Sequence, residues 1–250
     1  MTSPKLPLAP TRCSWRAAIA LLLLPAAAWA GRPLSTEDAT TRDDGTCQIE
    51  AWADRTRANT TLMVAAPACA VAGFEFQAGL ARERADGKTR TVSEFVQAKH
   101  AFRNIDEGAW GTGLVLGMAR FPQRETKTGW GDPFATAILS VGLADDRETR
   151  PLLHLNVGTA RIGDEGRSLT TWGVAIEKPV TERLTVLAEA FGEDRNRAFL
   201  RAGGRYAVLE GLNADLTYVT RAGGPREERF WSIGIHWEPG FLDFRAKPAK

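Results

Sequence analysis

Glu177, Glu189, Arg201, Arg205 and Asp215 each sit inside a run of alternating apolar and polar residues, not in a turn. A strand sends successive side chains to opposite faces. These charges therefore share a polar face, as do His154 and Asn156 in their own run, while the opposite face is apolar. In a closed sheet, neighbouring strands lie ~4.8 Å apart, close enough for carboxylates and guanidiniums to pair. Arg suits this because its planar fork binds both oxygens of a carboxylate. Two kinds of chemistry follow. One is a ladder of ion pairs that fills an interior and holds register. The other is a polar pore or solute site. A dozen strands enclose a narrow lumen, and Glu177, Glu189, Arg201 and Arg205 are bulky enough to plug much of it. The ladder carries more weight, and the pore stays open beside it.

Other constellations do not support chemistry. His100, His154 and His236 lie on separate strands without metal-like spacing. There is no GxSxG nucleophile elbow, and Ser140 or Ser232 with His236 is a pairing on paper only. The glycine-rich GTGLVLG at 111–117 lies within a strand, so it is no phosphate loop. No enzymatic activity, cofactor or metal site is expected. With a net charge of +2, mixed signs throughout and no basic block, no nucleic-acid partner is expected either.

The period-two pattern defines the elements that must hold these residues. Runs at 47–55, 62–69, 74–84, 89–103, 110–121, 134–143, 152–162, 169–178, 184–192, 199–208, 212–221 and 230–237 predict about twelve strands. The 62–69 run is the weakest, because Pro67 has no N–H for a ladder. No convincing helix appears after residue 30. A soluble sandwich would bury the apolar face, whereas a membrane barrel turns it to lipid and points the charges into a lumen.

The N-terminus carries an export pattern. Lys5, Arg12 and Arg16 form a basic region, 17–27 is apolar, and Ala28-Trp29-Ala30 is a small-x-small cleavage site. This predicts a secretory signal peptide over 1–30, shorter in its apolar run than the ~20 residues a helical span needs. Cys13 leaves with it. Cys47 and Cys69 remain in an oxidising compartment, where an even pair usually bridges. A hairpin centred on Ala58 places them directly opposite, within disulfide reach. Residues 31–46 show no period and are expected to form an irregular N-terminal segment.

Connections add a further test. Very short turns are expected around Val71-Ala72, Pro179-Val180-Thr181 and Leu209-Glu210 at one end. Longer polar loops are expected at 85–88, 122–133, 163–168, 193–197 and 222–228 at the other. Such asymmetry marks outer-membrane barrels, although 104–108 and 144–149 blur it. Trp110, Trp130, Trp172, Tyr206, Tyr218, Trp231 and Trp237 fall in or near strand ends, as a membrane interface prefers.

Several stretches then resemble a known family. RPLSTEDA (32–39), Gly45 and the QIE that follows are similar to the start of proteobacterial outer-membrane barrels grouped under the meta-pathway of phenol degradation and described as transporters. LHLNVG (153–158), WGVAIEKPV (172–180), LAEAFGED (187–194) and RAGGRYAV (201–208) look like that family's later strands. The resemblance implies location and architecture and adds little about cargo. Such barrels usually end on an aromatic residue; here Trp237 is followed by EPGFLDFRAKPAK, and Pro239-Gly240 favours a tail over a continued strand.

The combined expectation is an all-β, transmembrane, antiparallel up-and-down barrel of about twelve strands. Its parts are a signal peptide (1–30), an irregular segment (31–46), the barrel (47–237) and a C-terminal tail (238–250). It would lie in a Gram-negative outer membrane, in contact with lipid, and pass a small solute through a lumen lined by Glu177, Glu189, Arg201, Arg205, Asp215, His154 and Asn156. The alternatives are a structural or interaction barrel with a plugged lumen, and a soluble periplasmic barrel that binds a ligand.

Overall fold

The computed structural model describes residues 33–123, 131–146, 149–163 and 165–244. The predicted signal peptide, most of the 122–133 loop and the last six residues of the tail lie outside them.

Twelve strands form one closed barrel. They are β1 (Cys47–Thr56), β2 (Thr61–Val71), β3 (Phe74–Ala85), β4 (Lys88–Arg103), β5 (Trp110–Arg120), β6 (Asp132–Gly142), β7 (Leu152–Ile162), β8 (Arg167–Pro179), β9 (Leu184–Glu193), β10 (Phe199–Leu209), β11 (Leu212–Arg221) and β12 (Phe230–Trp237). Each pairs antiparallel with its chain neighbours, and β12 closes on β1 through Ile49↔Trp237 to Thr56↔Phe230. Every expected strand is present. The differences lie at the ends, where ladder bonds carry several strands beyond the alternating core. Pro67 does not break β2: it sits opposite Ile49 in the β1 ladder, and β2 runs on to Val71.

The period-two pattern becomes an inversion of inside and outside. In β3, Phe74, Phe76 and Leu80 are exposed, whereas Glu75 and Gln77 are buried. The same holds around the ring, with Val96, Leu116, Val157, Val174, Leu216 and Ile233 facing outward. Glu50, Glu189, Arg201, Asp215 and Thr217 face inward and are buried. Exposing apolar side chains costs free energy in water and none where the outer solvent is hydrocarbon, while the buried polar groups are offset by pairing with one another inside.

One arc of the interior is apolar, which the alternation did not foretell. Phe95, Val115, Phe134 and Ile138 form a cluster inside the barrel, with Trp52 and Phe121 packed against it. Glycines make room for the two rings. A Cβ on Gly79 would lie 1.9 Å from the Phe95 ring, and one on Gly117 would lie 2.2 Å from the Phe134 ring. Each glycine is the direct cross-strand partner of its phenylalanine.

Cys47 and Cys69 are register partners and form a disulfide, with Cα atoms 4.1 Å apart. The loop asymmetry is weaker than expected. The β3–β4 connection is only Asp86-Gly87, both at positive φ, a tight Asp-Gly hairpin turn rather than an outer loop. The end carrying both termini has the short Ala72-Gly73 and Glu210-Gly211 turns, yet also the longer 104–109 and 143–151 connections. β12 stops at Trp237. The Glu238 N–H then bonds to the Gly211 carbonyl, and the Phe244 N–H to that of Gly45.

Candidate functional site: a lumen occupied by the N-terminal segment

Residues 33–46 have no regular secondary structure, yet half of them are buried and only Asp43 and Asp44 are exposed, because the segment lies inside the barrel. Near the mouth, Gly45 and Thr46 prolong the β1 ladder by exchanging backbone bonds with Ala70 of β2. Arg42 turns inward to Gln48 and Glu238. From there the chain crosses the inner wall from β4 towards β10.

The wall meets the segment's backbone group by group. The Ala39 N–H donates to Ser140 Oγ of β6 at 2.9 Å, and the Ala39 carbonyl accepts from the Ile105 N–H at 3.0 Å. Asn156 of β7 bonds Glu37 twice, accepting from its N–H at 2.6 Å and donating to its carbonyl at 3.0 Å. Glu189 of β9 accepts from the Ser35 N–H at 2.7 Å and from the Thr36 N–H. Arg201 of β10 donates to the Pro33 carbonyl at 2.6 Å. An irregular segment has no ladder of its own, so its buried backbone groups need such partners.

Side chains fix the register of this segment. Leu34 packs with Ala175 and Leu187, and Ala39 joins the Phe95–Val115–Ile138 cluster. Thr36 lies over Gly173 of β8, where a Cβ would come within 2.3 Å of Thr36 Oγ1. Lys99 of β4 places its ammonium 3.0 Å from Glu37 and 2.8 Å from Asp38. Burial raises the Glu37 carboxyl to about 7. Lys99 pulls it down, while Asp38 and Glu75 push it up.

All seven lumen residues expected from the sequence face inward, but they divide between two surroundings. Glu189, Arg201, His154 and Asn156 belong to the wall around the segment. Glu189 and Arg201 are register partners, 3.2 Å apart and buried. His154 Nδ1 lies 2.8 Å from Ser140 Oγ, the same oxygen that accepts from Ala39. Both side chains are buried, and the contact secures the segment rather than exposing a nucleophile.

Glu177, Arg205 and Asp215 form a second group. Arg205 pairs with Glu177 at 2.7 Å and stands opposite Asp215 in the ladder. Arg205 also lines a cavity of about 380 Å³ with Arg183, Thr185, Asn213, His236 and Glu238. His236 there bridges Glu50 at 3.3 Å and Glu238 at 2.9 Å. Among the described residues, no cluster of three or more His, Cys, Asp or Glu is arranged to hold a metal.

Lys99, Glu37 and Asp38 are contacts at this site that the sequence reading did not single out, and Ser140, weighed there only with His236, meets the segment and His154 instead. Alternation does place Lys99 on the polar face of its strand. Nothing periodic marks 33–46 as the partner of that face.

The comparisons with known proteins agree with this architecture. The family model described as "Uncharacterised conserved protein UCP029691" matches residues 18–236. The chain belongs to that family. No curated protein sequence matches the chain. Among solved structures, it resembles the KdgM porin, with a TM-score of 0.58 and 9% identity over 76% of this chain and 98% of that one. It also resembles the NanC porin, at 0.53 and 8% over 76% and 98%. Omp33 of Acinetobacter baumannii superposes more loosely, at 0.46 and 8% over 78% and 98%, and carries no argument. At such identities the two porins share the fold with this chain; they say nothing of its cargo.

Proposed function

We propose that this family member is an outer-membrane solute channel held shut at rest by its own N-terminal segment. The observation that carries the reading is the inverted barrel: apolar residues outside, a charged wall inside, and 33–46 lying across that wall. An outward apolar surface of this extent suits lipid and not the periplasm, which disfavours a soluble ligand-binding barrel. The export pattern at 1–30 supports the same location. Glu177, Glu189, Arg201, Arg205, Asp215, His154 and Asn156 line the passage, and the mixed signs favour weak selectivity for small polar solutes. The motif resemblance to barrels grouped under phenol degradation supports a transport role and names no cargo.

A second reading, a structural barrel permanently sealed, draws on the apolar cluster that fills one arc of the lumen. Planar-bilayer recording separates the two. The intact protein should show rare, small openings. A variant lacking 33–42, exported behind its own residues 1–32, should conduct several-fold more at the same voltage. Equal and negligible current from both proteins, each verified as folded by its heat-modifiable gel mobility, would leave only the sealed barrel.

A further inference from the structure

Resting on the channel reading, we infer that the inner wall beneath the N-terminal segment is a binding track for an extended acidic peptide, with the segment as its tethered resident. The wall reads peptide backbone rather than one particular side chain. Asn156 makes the paired N–H and carbonyl contacts that a neighbouring strand would make. Glu189 takes two successive N–H groups, Ser140 takes another, and Arg201 caps a carbonyl. These groups come from β6, β7, β9 and β10, so the track spans much of the wall. Any extended peptide offers the same backbone groups.

Three features of the wall then set the class. Lys99 holds two adjacent carboxylates at once, at 3.0 and 2.8 Å. Ala175 and Leu187 receive an apolar side chain three residues before the first of them. Gly173 leaves room for a small hydroxyl residue between the two. The occupant is therefore an extended segment of the form apolar, small, small, acidic, acidic, small. With the segment gone, Lys99 would lose both of those contacts, and the backbone-directed Asn156 and Ser140 would lose their partners on the segment. A second peptide restores what the segment supplied. In the intact protein the tether gives the resident a high effective concentration, so outside peptides compete poorly until it is displaced.

The test uses a fluorescein-labelled acetyl-LSTEDA-amide peptide and reads its anisotropy on detergent-solubilised protein of verified heat-modifiable mobility. Two barrels are compared: the variant lacking 33–42, and the full chain carrying Glu37→Gln with Asp38→Asn. The expected result is saturable one-to-one binding to at least one of them, and weaker binding to the unaltered chain. Binding should fall at least about tenfold with an LSTENA peptide, which removes the carboxylate 2.8 Å from Lys99, or with Lys99→Met in the barrel, as loss of a charge-assisted contact demands. Absence of binding to both barrels overturns the inference. So does equal binding of the LSTENA peptide, or displacement by succinate as effective as by the peptide, which would reduce the track to a single cation. A failure of conductance to rise in the shortened variant overturns the channel reading instead and leaves this titration to stand on its own.

Discussion

Arg201→Ala should be among the most destabilising single substitutions in the barrel wall, and it should release the N-terminal segment as well. Arg201 is buried, 3.2 Å from an equally buried Glu189, and its guanidinium lies over the Phe191 ring, 5.1 Å from the centroid. Removing it takes the neutralising cation from a buried carboxylate that still accepts from the Ser35 and Thr36 N–H groups. Breaking a buried pair on one side costs about 3–5 kcal/mol, because the remaining charge has lost its partner. The same change removes the donor to the Pro33 carbonyl. The expected result is a large drop in the urea midpoint of the folded barrel in lipid. Arg201→Ala combined with Glu189→Ala should cost less than the sum of the two single changes. Arg205→Ala is the internal comparison. Its side chain is 29% exposed against 6% for that of Arg201, so water can reach the gap it leaves and its loss should cost less. Equal effects from the two arginines would mean that the buried wall is not organised as described.

Raising the pH should loosen the segment. Glu37 has an ordinary value of 4.5 and is held at about 7 when docked, chiefly by burial and also by the charges of Asp38 and Glu75. Lys99 opposes the rise, and Gln97 donates to the same carboxylate. A carboxyl whose value rises on docking favours the docked state most while it stays protonated. That contribution is fully present below pH 4.5 and is lost as the pH climbs through 7. The difference amounts to roughly 3 kcal/mol at its limit. Thiol labelling of a Thr36→Cys variant should therefore be slow at pH 5 and distinctly faster at pH 8. Glu37→Gln should flatten that dependence, because it keeps the neutral shape at every pH. Faster labelling at pH 5 than at pH 8 would reverse the sign and place Glu37 outside the docking energetics.

The barrel itself was legible because a half-buried strand writes its two faces directly into the sequence. In the first part of the 74–84 run the alternation separates exposed Phe74, Phe76 and Leu80 from buried Glu75 and Gln77, and in the 212–221 run it separates exposed Leu216 from buried Asp215 and Thr217, until Val219, apolar and buried, breaks it. Cys47 and Cys69 were legible for a related reason: one turn centre at Ala58 fixes every pairing in that hairpin. Strand ends were less legible, since Thr56, Ala70 and Val71 are strand by virtue of their ladder partners and not of any pattern. Phe95 and Phe134 show why polarity alone misleads. They occupy lumen-side positions, and what permits them there is the absence of a side chain on Gly79 and Gly117, a cross-strand fact invisible along the chain.

The candidate site was legible only as half of a pair. The charged wall could be read, and so could its tendency to fill the lumen. Its main occupant could not, because a docked irregular segment carries no period. PLSTEDATTRDDGT looks like a solvated linker, and its burial depends on Ser140, Asn156, Glu189 and Arg201, each more than ninety residues away along the chain. The ion pairs that read as a ladder between strands, such as Glu189 with Arg201, turn out to serve the segment as well as the wall.

The central claim is that the N-terminal segment lies inside a closed barrel, across the inner wall. Cross-linking tests it most directly. A Cβ on Gly173 would lie 3.2 Å from the Thr36 Cβ, close to the separation that a disulfide needs. A chain carrying Thr36→Cys and Gly173→Cys, isolated from membranes under mild oxidation, should form that bond in addition to Cys47–Cys69. Mass spectrometry of the linked peptides should identify it, and the heat-modifiable mobility of the barrel should be kept. A folded barrel in which the two new thiols stay unlinked and freely alkylated would contradict the account.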